Sequence, residues 1–202
     1  MQEHRIVGRH RKKRCLTTDS NHPLPVAPNL LQQNFACDTP NTVWLGDISY
    51  LPTDEGFLYL AAMKDLCTKK IVGWSMSETI DAQLAVDALS MAIARQRPCA
   101  GLIVHSDRGS QYASAAFRHR LAKHSMRQSM SRRGNCYDNA PMESFFSILK
   151  GEYLEHHRFA THAAARAAVF TYVETFYNRV RLHSSIGYRS PNEFETMLKQ
   201  AA

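Results

Sequence analysis

Three acidic residues stand where the sequence predicts a metal-dependent reaction. Asp47 lies within WLGDISYLPT, whose β-branched and aromatic residues are typical of a strand, where Asp is disfavoured and rarely buried unpaired. Asp107 directly follows the apolar run AGLIVHS and therefore ends a predicted buried strand. Ligands of open α/β sheets bind at the carboxyl ends of the strands, which makes Asp107 a candidate. Asp47, in the middle of the first strand, would lie beside it if the first and fourth strands are neighbours.

Glu143 is predicted to lie in the first turn of a helix. Residues 138–141 (Asp-Asn-Ala-Pro) are typical of a helix start. Apolar residues follow at helical spacing, namely Phe145, Phe146, Ile148 and Leu149. Lys150 comes seven residues after Glu143, close to two turns, so the two share a face that suits a metal ion and a phosphate backbone. The alternative is an acid that only favours the helix N-terminus through the macrodipole.

Together these acids suit metal-dependent phosphoryl transfer. Three carboxylates at one point repel one another unless a counter-charge is present, and hard divalent cations with oxygen ligands supply it. Two Mg²⁺ ions about 4 Å apart would activate an attacking oxygen and stabilise the leaving oxygen. The arrangement requires that the strands of Asp47 and Asp107 are neighbours and that the Glu143 helix packs over them.

The elements that must position these acids follow from the pattern along the chain. Three predicted strands form an antiparallel meander. A helix, a strand, a second helix, a short fifth strand, the Glu143 helix and a long helix over residues 161–177 follow. This order predicts an α/β protein with a mixed five-stranded sheet flanked by helices.

Length and composition narrow the class of protein. A chain of 202 residues is long enough for one good core and a small appendage. It has no apolar run of about 18 residues and no secretory signal, which predicts a cytoplasmic protein with no membrane segment. The five cysteines are odd in number and widely spaced, which favours reduced thiols over a zinc site or a disulfide framework.

The net charge of +7 is unevenly distributed. Residues 1–37 carry six basic and two acidic side chains and residues 116–183 carry eleven and five, whereas residues 38–115 carry six and nine. An acidic middle between basic flanks fits metal-binding acids surrounded by a surface for a polyanion. Residues 1–40, basic and containing prolines, are predicted to form an extended arm, either a phosphate-contacting lead-in or a solvated linker.

Five segments of the chain together resemble the catalytic part of the DDE transposases of bacterial insertion sequences, in the branch that shares the retroviral integrase core. They are WLGDISYLPT, KDLCTKKIVGWSM, HSDRGSQY, SRRGNCYDNAPMESFFSILKGE and YNRVRLHSSIGYRSPNEF. They cover roughly residues 40–195 in the family's order, with its gap of 35 residues between the second Asp and the Glu. The resemblance implies an RNase H-like core at residues 41–158 and a C-terminal helical extension, residues 159–202, packed on it.

The same resemblance implies an enzyme that cuts and joins DNA ends in Mg²⁺, with Mn²⁺ as substitute and two ions expected. Asp47, Asp107 and Glu143 would be its catalytic and metal-binding triad. Water and then a 3′-hydroxyl would be the nucleophiles, with no covalent protein intermediate. It also implies several copies on DNA at the bacterial nucleoid. Only a basic arm precedes the core, so a separately encoded helix-turn-helix subunit is a further expected partner.

Supporting residues carry open alternatives. Arg132, Arg133, Asn135, Tyr137 and Asn139 precede the Glu143 helix and are candidates for contacts with DNA; turn and capping chemistry is the alternative for the last three. The alternative for a Lys150 contact with phosphate is plain solvation.

Two further pairs are less specific. Arg181 and His183 are predicted to bind DNA or to tie the last segment to the core, and the structural role is favoured. His105 and Arg108 flank Asp107 and are predicted either to orient it or contact phosphate, or to form a satisfied surface pair. A nuclease that only hydrolyses and a non-catalytic DNA-binding remnant are the rival functions.

Overall fold

The strands form where β-branched and aromatic residues are frequent, and a computed structural model, which describes residues 22–201, joins them in one mixed sheet. Three antiparallel strands form the predicted meander: β1 (Val43–Thr53), β2 (Gly56–Asp65) and β3 (Ile71–Ser77). The short strands β4 (Ile103–Ser106) and β5 (Arg127–Met130) run parallel to β1. The sheet order is β3-β2-β1-β4-β5, so β1 is central and β5 lies at an edge.

The four predicted helices begin close to the predicted places, and the structure adds two more. Their bounds are α1 (Ala82–Gln96), α2 (Ser110–Ala113), α3 (Ala115–Lys123), α4 (Ala140–Glu152), α5 (His162–Phe170) and α6 (Pro191–Ala201). The predicted long helix continues beyond α5 as a π-helix over Thr171–Tyr177. The two additions are the short helix α2 and helix α6.

Two cores cover the two faces of the sheet because side chains alternate along each strand. Leu45 and Leu51 of β1 belong to the core that includes Phe145 of α4 and Val169 of α5. Trp44 points the other way, into the core formed with α1 and α3. Asp47 has the same parity as Leu45, so the strand directs it toward the face that α4 covers.

Gly73 lets β3 approach α1 closely. A methyl group at this position would lie 2.8 Å from the Cβ of Ala92 and would also clash with backbone atoms of the helix. We expect Gly73→Ala to lower the free energy of unfolding by about 2 to 3 kcal/mol, because the helix backbone must move. Urea unfolding measures the change.

Gly151→Ala is the matched control, because a methyl group there meets no atom within 4 Å. Gly151 lies in α4, so this replacement should stabilise the protein by up to about 1 kcal/mol. Equal effects at the two glycines would contradict the close packing of β3 on α1.

Residues 22–40 lie against the sheet. They follow an irregular path, and Leu31 is buried in the core beneath α4. The basic cluster of the predicted arm, at residues 4–15, lies outside the described residues. Among residues 22–201, no helix is both long and apolar enough to cross a lipid bilayer.

Candidate active site

Asp47 lies on β1, and Asp107 directly follows the neighbouring strand β4, as the sequence required. Strands β1 and β4 are parallel, with Gly46 opposite Ser106. The next residue after each of these is an aspartate, so Asp47 and Asp107 lie side by side. Each carboxylate accepts a backbone N–H: Asp47 from Ile48 at 2.8 Å, and Asp107 from Gly109 at 2.9 Å. These bonds orient the two acids at the carboxyl end of β4.

Helix α4 brings Glu143 to the same place. Glu143 is partly buried in the first turn of this helix, whose apolar face packs on the sheet through Met142 and Phe145. Asn139, directly before the helix, donates its side-chain amide to the carbonyl oxygen of Gly46 at 3.1 Å. The helix start is therefore tied to the residue that precedes Asp47.

The three carboxylates act on one another electrostatically. Burial raises the pKa of Asp47 well above its usual range, and the charges of Asp107 and Glu143 raise it further. In the described part of the chain, no three His, Cys, Asp or Glu side chains are gathered closely enough to form a complete metal site. The donor set still fits a hard divalent cation, because oxygen ligands on rigid elements repel one another and a cation relieves that repulsion.

Lys150 faces this acidic site. Its ammonium lies 4.7 Å from the ring centroid of Tyr50 on β1, within the range of a cation–π contact. Its charge lowers the pKa of Asp47, opposing the two other carboxylates. Lys150 is partly buried, which argues against plain solvation.

The loop before α4 divides into exposed and structural residues. Arg133 and Tyr137 are exposed, Tyr137 by 71%. Arg132 forms an ion pair of 2.8 Å with Asp138, although its side chain remains 56% exposed. Asn135 caps a short 3₁₀ helix by accepting from Tyr137 N–H at 3.1 Å, which is the turn chemistry that was the alternative for this residue.

The residues around Asp107 support the sheet. His105 is fully buried, with Nδ1 2.8 Å from the hydroxyl of Ser129, and burial lowers its pKa. The predicted phosphate contact is therefore wrong for His105, which joins β4 to β5. Arg108 donates its Nε–H to the carbonyl oxygen of Ser131 at 2.7 Å and so closes the ends of the same two strands.

Arg181 and His183 tie the C-terminal segment to the core. Arg181 contacts both carboxylate oxygens of Glu152 at the end of α4, the closer at 2.7 Å. His183 is buried with its ring edge-to-face on Tyr177. Burial, with the charges of Arg181 and Lys64, lowers the pKa of His183 to about 4, so it is neutral at pH 7. The favoured structural role fits both residues.

Three residues near the site carry roles that the sequence pattern did not indicate. Asp138 was predicted only as part of a helix start, yet its carboxylate is fully buried and hydrogen-bonded to Arg132. Lys64 is buried in β2, and its ammonium donates to the carbonyl oxygen of Pro141 in α4. Tyr112 is buried and its hydroxyl has no hydrogen-bond partner among residues 22–201. The charges of Asp47 and Asp107 add to burial in raising the pKa of Tyr112.

Two protein families match the part of the chain that contains this site. Residues 38–136 match a family described as "Integrase core domain", and residues 124–191 match a second family of the same description. The two matches together contain Asp47, Asp107 and Glu143. Among solved structures, the chain resembles a simian T-cell lymphotropic virus intasome chain with a TM-score of 0.66 and 18% identity, covering 88% of this chain and 60% of that one.

A second structural neighbour is an isolated catalytic core. The HTLV-2 integrase catalytic core domain, solved in complex with magnesium, has a TM-score of 0.59 and 16% identity. The match covers 77% of this chain and 96% of that one. At these identities the likeness establishes the fold alone, which is the RNase H-like fold of integrase catalytic cores.

Relatives in bacteria are much closer in sequence. An uncharacterized 31 kDa protein of insertion element IS600 from Shigella sonnei is 49% identical over 201 residues, which is all of this chain and 74% of that protein. The transposase InsF of insertion sequence IS3A from Escherichia coli K12 is 51% identical over 174 residues, 86% of this chain. The match spans 60% of that transposase. The chain therefore belongs to the integrase core family, among the transposases of bacterial insertion sequences.

Proposed function

We propose that this chain carries out metal-dependent cleavage of DNA ends and their transfer to a target. The observation that carries the proposal is the placement of Asp47 beside Asp107 on parallel strands, with Glu143 on the helix that is tied to the same strand. The family relationship supports the reaction class, because close relatives are transposases.

Asp47, Asp107 and Glu143 would hold the divalent cations, Mg²⁺ or Mn²⁺, with two ions expected. When bound, such ions stabilise the attacking and leaving oxygens of phosphoryl transfer. The chain's own contribution is to hold the three carboxylates on a sheet and a packed helix and to aim Lys150 at the same place. We assign Lys150 a contact with a DNA phosphate beside the cut, because it faces the site from the same side of α4 as Glu143.

The partners follow from the same chemistry. The exposed Arg133 and Tyr137 lie on the loop before α4 and are the loop residues best placed to contact DNA. Joining two element ends requires more than one copy of the chain on DNA, and an intasome and dimeric or trimeric catalytic cores occur among the structural neighbours. A separately encoded helix-turn-helix subunit would supply sequence recognition, and the complex would act on DNA in the bacterial cytoplasm.

An assay with labelled linear DNA bearing the element's ends tests the function. We expect joined products in Mg²⁺ or Mn²⁺ from the native chain. Glu143→Gln should reduce joining by about 1,000-fold, because it removes a metal ligand. Glu155→Gln is the matched control, since Glu155 is exposed beyond α4.

The other outcomes separate the rival functions. Cleavage without joining would identify a nuclease that only hydrolyses. DNA binding with neither reaction, even when the separately encoded subunit is supplied, would identify a non-catalytic remnant.

A further inference from the structure

Residues 22–33, which precede the first strand, contact Arg108 beside Asp107 and Asp138 before helix α4. We name this segment the strap. It runs along the edge strand β5, where Leu30 N–H donates to the hydroxyl of Ser129 at 2.9 Å. The carbonyl oxygen of Pro28 accepts the N–H of Met130 at 3.4 Å. Edge strands expose unpaired backbone groups, and the strap satisfies part of this one.

The strap reaches the residue after Asp107 and the start of the helix that carries Glu143. His22 Nε2 lies 2.7 Å from the carbonyl oxygen of Arg108, the residue after Asp107. Asn29 and Gln33 each donate a side-chain amide to Asp138, both at 2.9 Å. Asp138 comes two residues before the first residue of α4, the helix that carries Glu143.

Asp138 is a buried carboxylate whose donors come from both the strap and the loop. Arg132 supplies three more hydrogen bonds, from its backbone N–H at 2.7 Å and its guanidinium at 3.1 and 2.8 Å. These bonds hold the pKa of Asp138 well below its usual range. A buried charge is tolerated only while its partners remain in place, so the strap, the loop and the helix start are held as one unit.

We propose that the strap is a positioning element of the active site, which sets the place of Glu143 relative to Asp47 through Asp138. Asn139, the next residue, carries the constraint onward, because its amide binds the carbonyl oxygen of Gly46. The proposal rests on the proposed function. It replaces both earlier expectations for this part of the predicted arm, a phosphate-contacting lead-in and a solvated linker.

The test compares the full chain with the double variant Asn29→Ala/Gln33→Ala. We expect single-turnover joining at saturating DNA to fall about 10- to 100-fold, the usual effect of losing contacts that support a metal site. The DNA concentration for half-maximal rate should stay within about twofold of the native value, because no DNA contact is removed. Amide hydrogen exchange over residues 132–139 should accelerate, since Asp138 loses two of its donors.

Two further variants make the result specific. Gln32→Ala is the matched control, because Gln32 is exposed between the two donors and no side-chain hydrogen bond of it is seen in the described structure. The variant Asn29→Ala/Gln33→Lys carries a charged donor at position 33, where the double alanine variant has none. Compared with Asn29→Ala/Gln33→Ala, it should recover most of the joining rate and the amide protection.

Three outcomes would overturn the proposal. Unchanged exchange over residues 132–139 would show that the strap does not hold the loop. A loss of DNA affinity at unchanged maximal rate would show that the strap contacts DNA instead. Normal joining despite faster exchange would show that the loop does not position Glu143. If the native chain joins no DNA at all, the proposed function fails, and hydrogen exchange still decides whether the strap holds the loop.

Discussion

Replacing Asp47 with Asn should abolish end joining while making the metal-free protein more stable. Joining should fall by about 1,000-fold or more, because Asn is a neutral and weaker ligand for a hard cation. The free energy of unfolding at neutral pH in chelator should rise by on the order of 1 kcal/mol. The reason is that Asp47 is partly buried and is repelled by Asp107 and Glu143.

Metal titration of thermal unfolding completes this experiment. Ions that bind only the native state raise its stability, so Mn²⁺ or Mg²⁺ should raise the Tm of the native chain and not that of Asp47→Asn. Asp87→Asn, at an exposed position of α1, is the matched control and should change neither joining nor the metal response. Destabilisation of Asp47→Asn in chelator, with the metal response retained, would remove Asp47 from the metal site.

Replacing Lys64 with Met should stabilise the protein strongly at acidic pH and little at alkaline pH. Burial, together with the charges of Lys69 and Arg181, lowers the pKa of Lys64 from 10.5 to about 7. The unfolded chain therefore holds a proton that the folded chain lacks between about pH 7 and 10.5, so the stability of the native protein rises with pH across this window. Below pH 7 the folded chain carries the full cost of a buried charge.

The expected change in the free energy of unfolding follows from the shift in the pKa of Lys64. Near pH 6, Lys64→Met should raise the free energy of unfolding by about 3 to 4 kcal/mol, after about 1 kcal/mol is subtracted for the lost hydrogen bond to Pro141. Near pH 10 the gain should vanish. Urea unfolding between pH 6 and 10 measures this, with the exposed Lys123→Met as control. A gain that does not change with pH would show that Lys64 stays protonated in the folded protein.

Local signals in the sequence predicted most of the elements that hold the site. The turn at Gly56, with its positive φ, and the N-cap of α1 at Asp81 are formed by residue types that favour these conformations. The meander and the parallel pairing of β1 with β4 placed Asp47 beside Asp107. Helix α6 was missed although its start has a local signal. The side chains of Ser190 and Glu193 each bond the other's backbone N–H, as in a capping box.

Local sequence signals do not predict contacts between residues that are far apart in the chain. Asn29 and Asp138 are 109 residues apart, and their amide and carboxylate meet only because the strap runs along β5. Through this contact, part of the predicted arm holds the loop before α4. Arg132, predicted to contact DNA, is paired with Asp138. His183, in the same class of predicted residues, is buried on Tyr177.

The sequence by itself determined the family, the order of strands and helices, and three acids at a spacing that suits one site. The tertiary structure alone decided which charged residues are buried and what each of them contacts. Asp107 and Asp138 are both acids outside the strands, yet Asp107 belongs to the candidate site and is only partly buried, whereas Asp138 is fully buried among five donor groups. The physical reason is that strand and helix patterns are local. Burial and charge pairing instead depend on contacts between residues far apart in the chain.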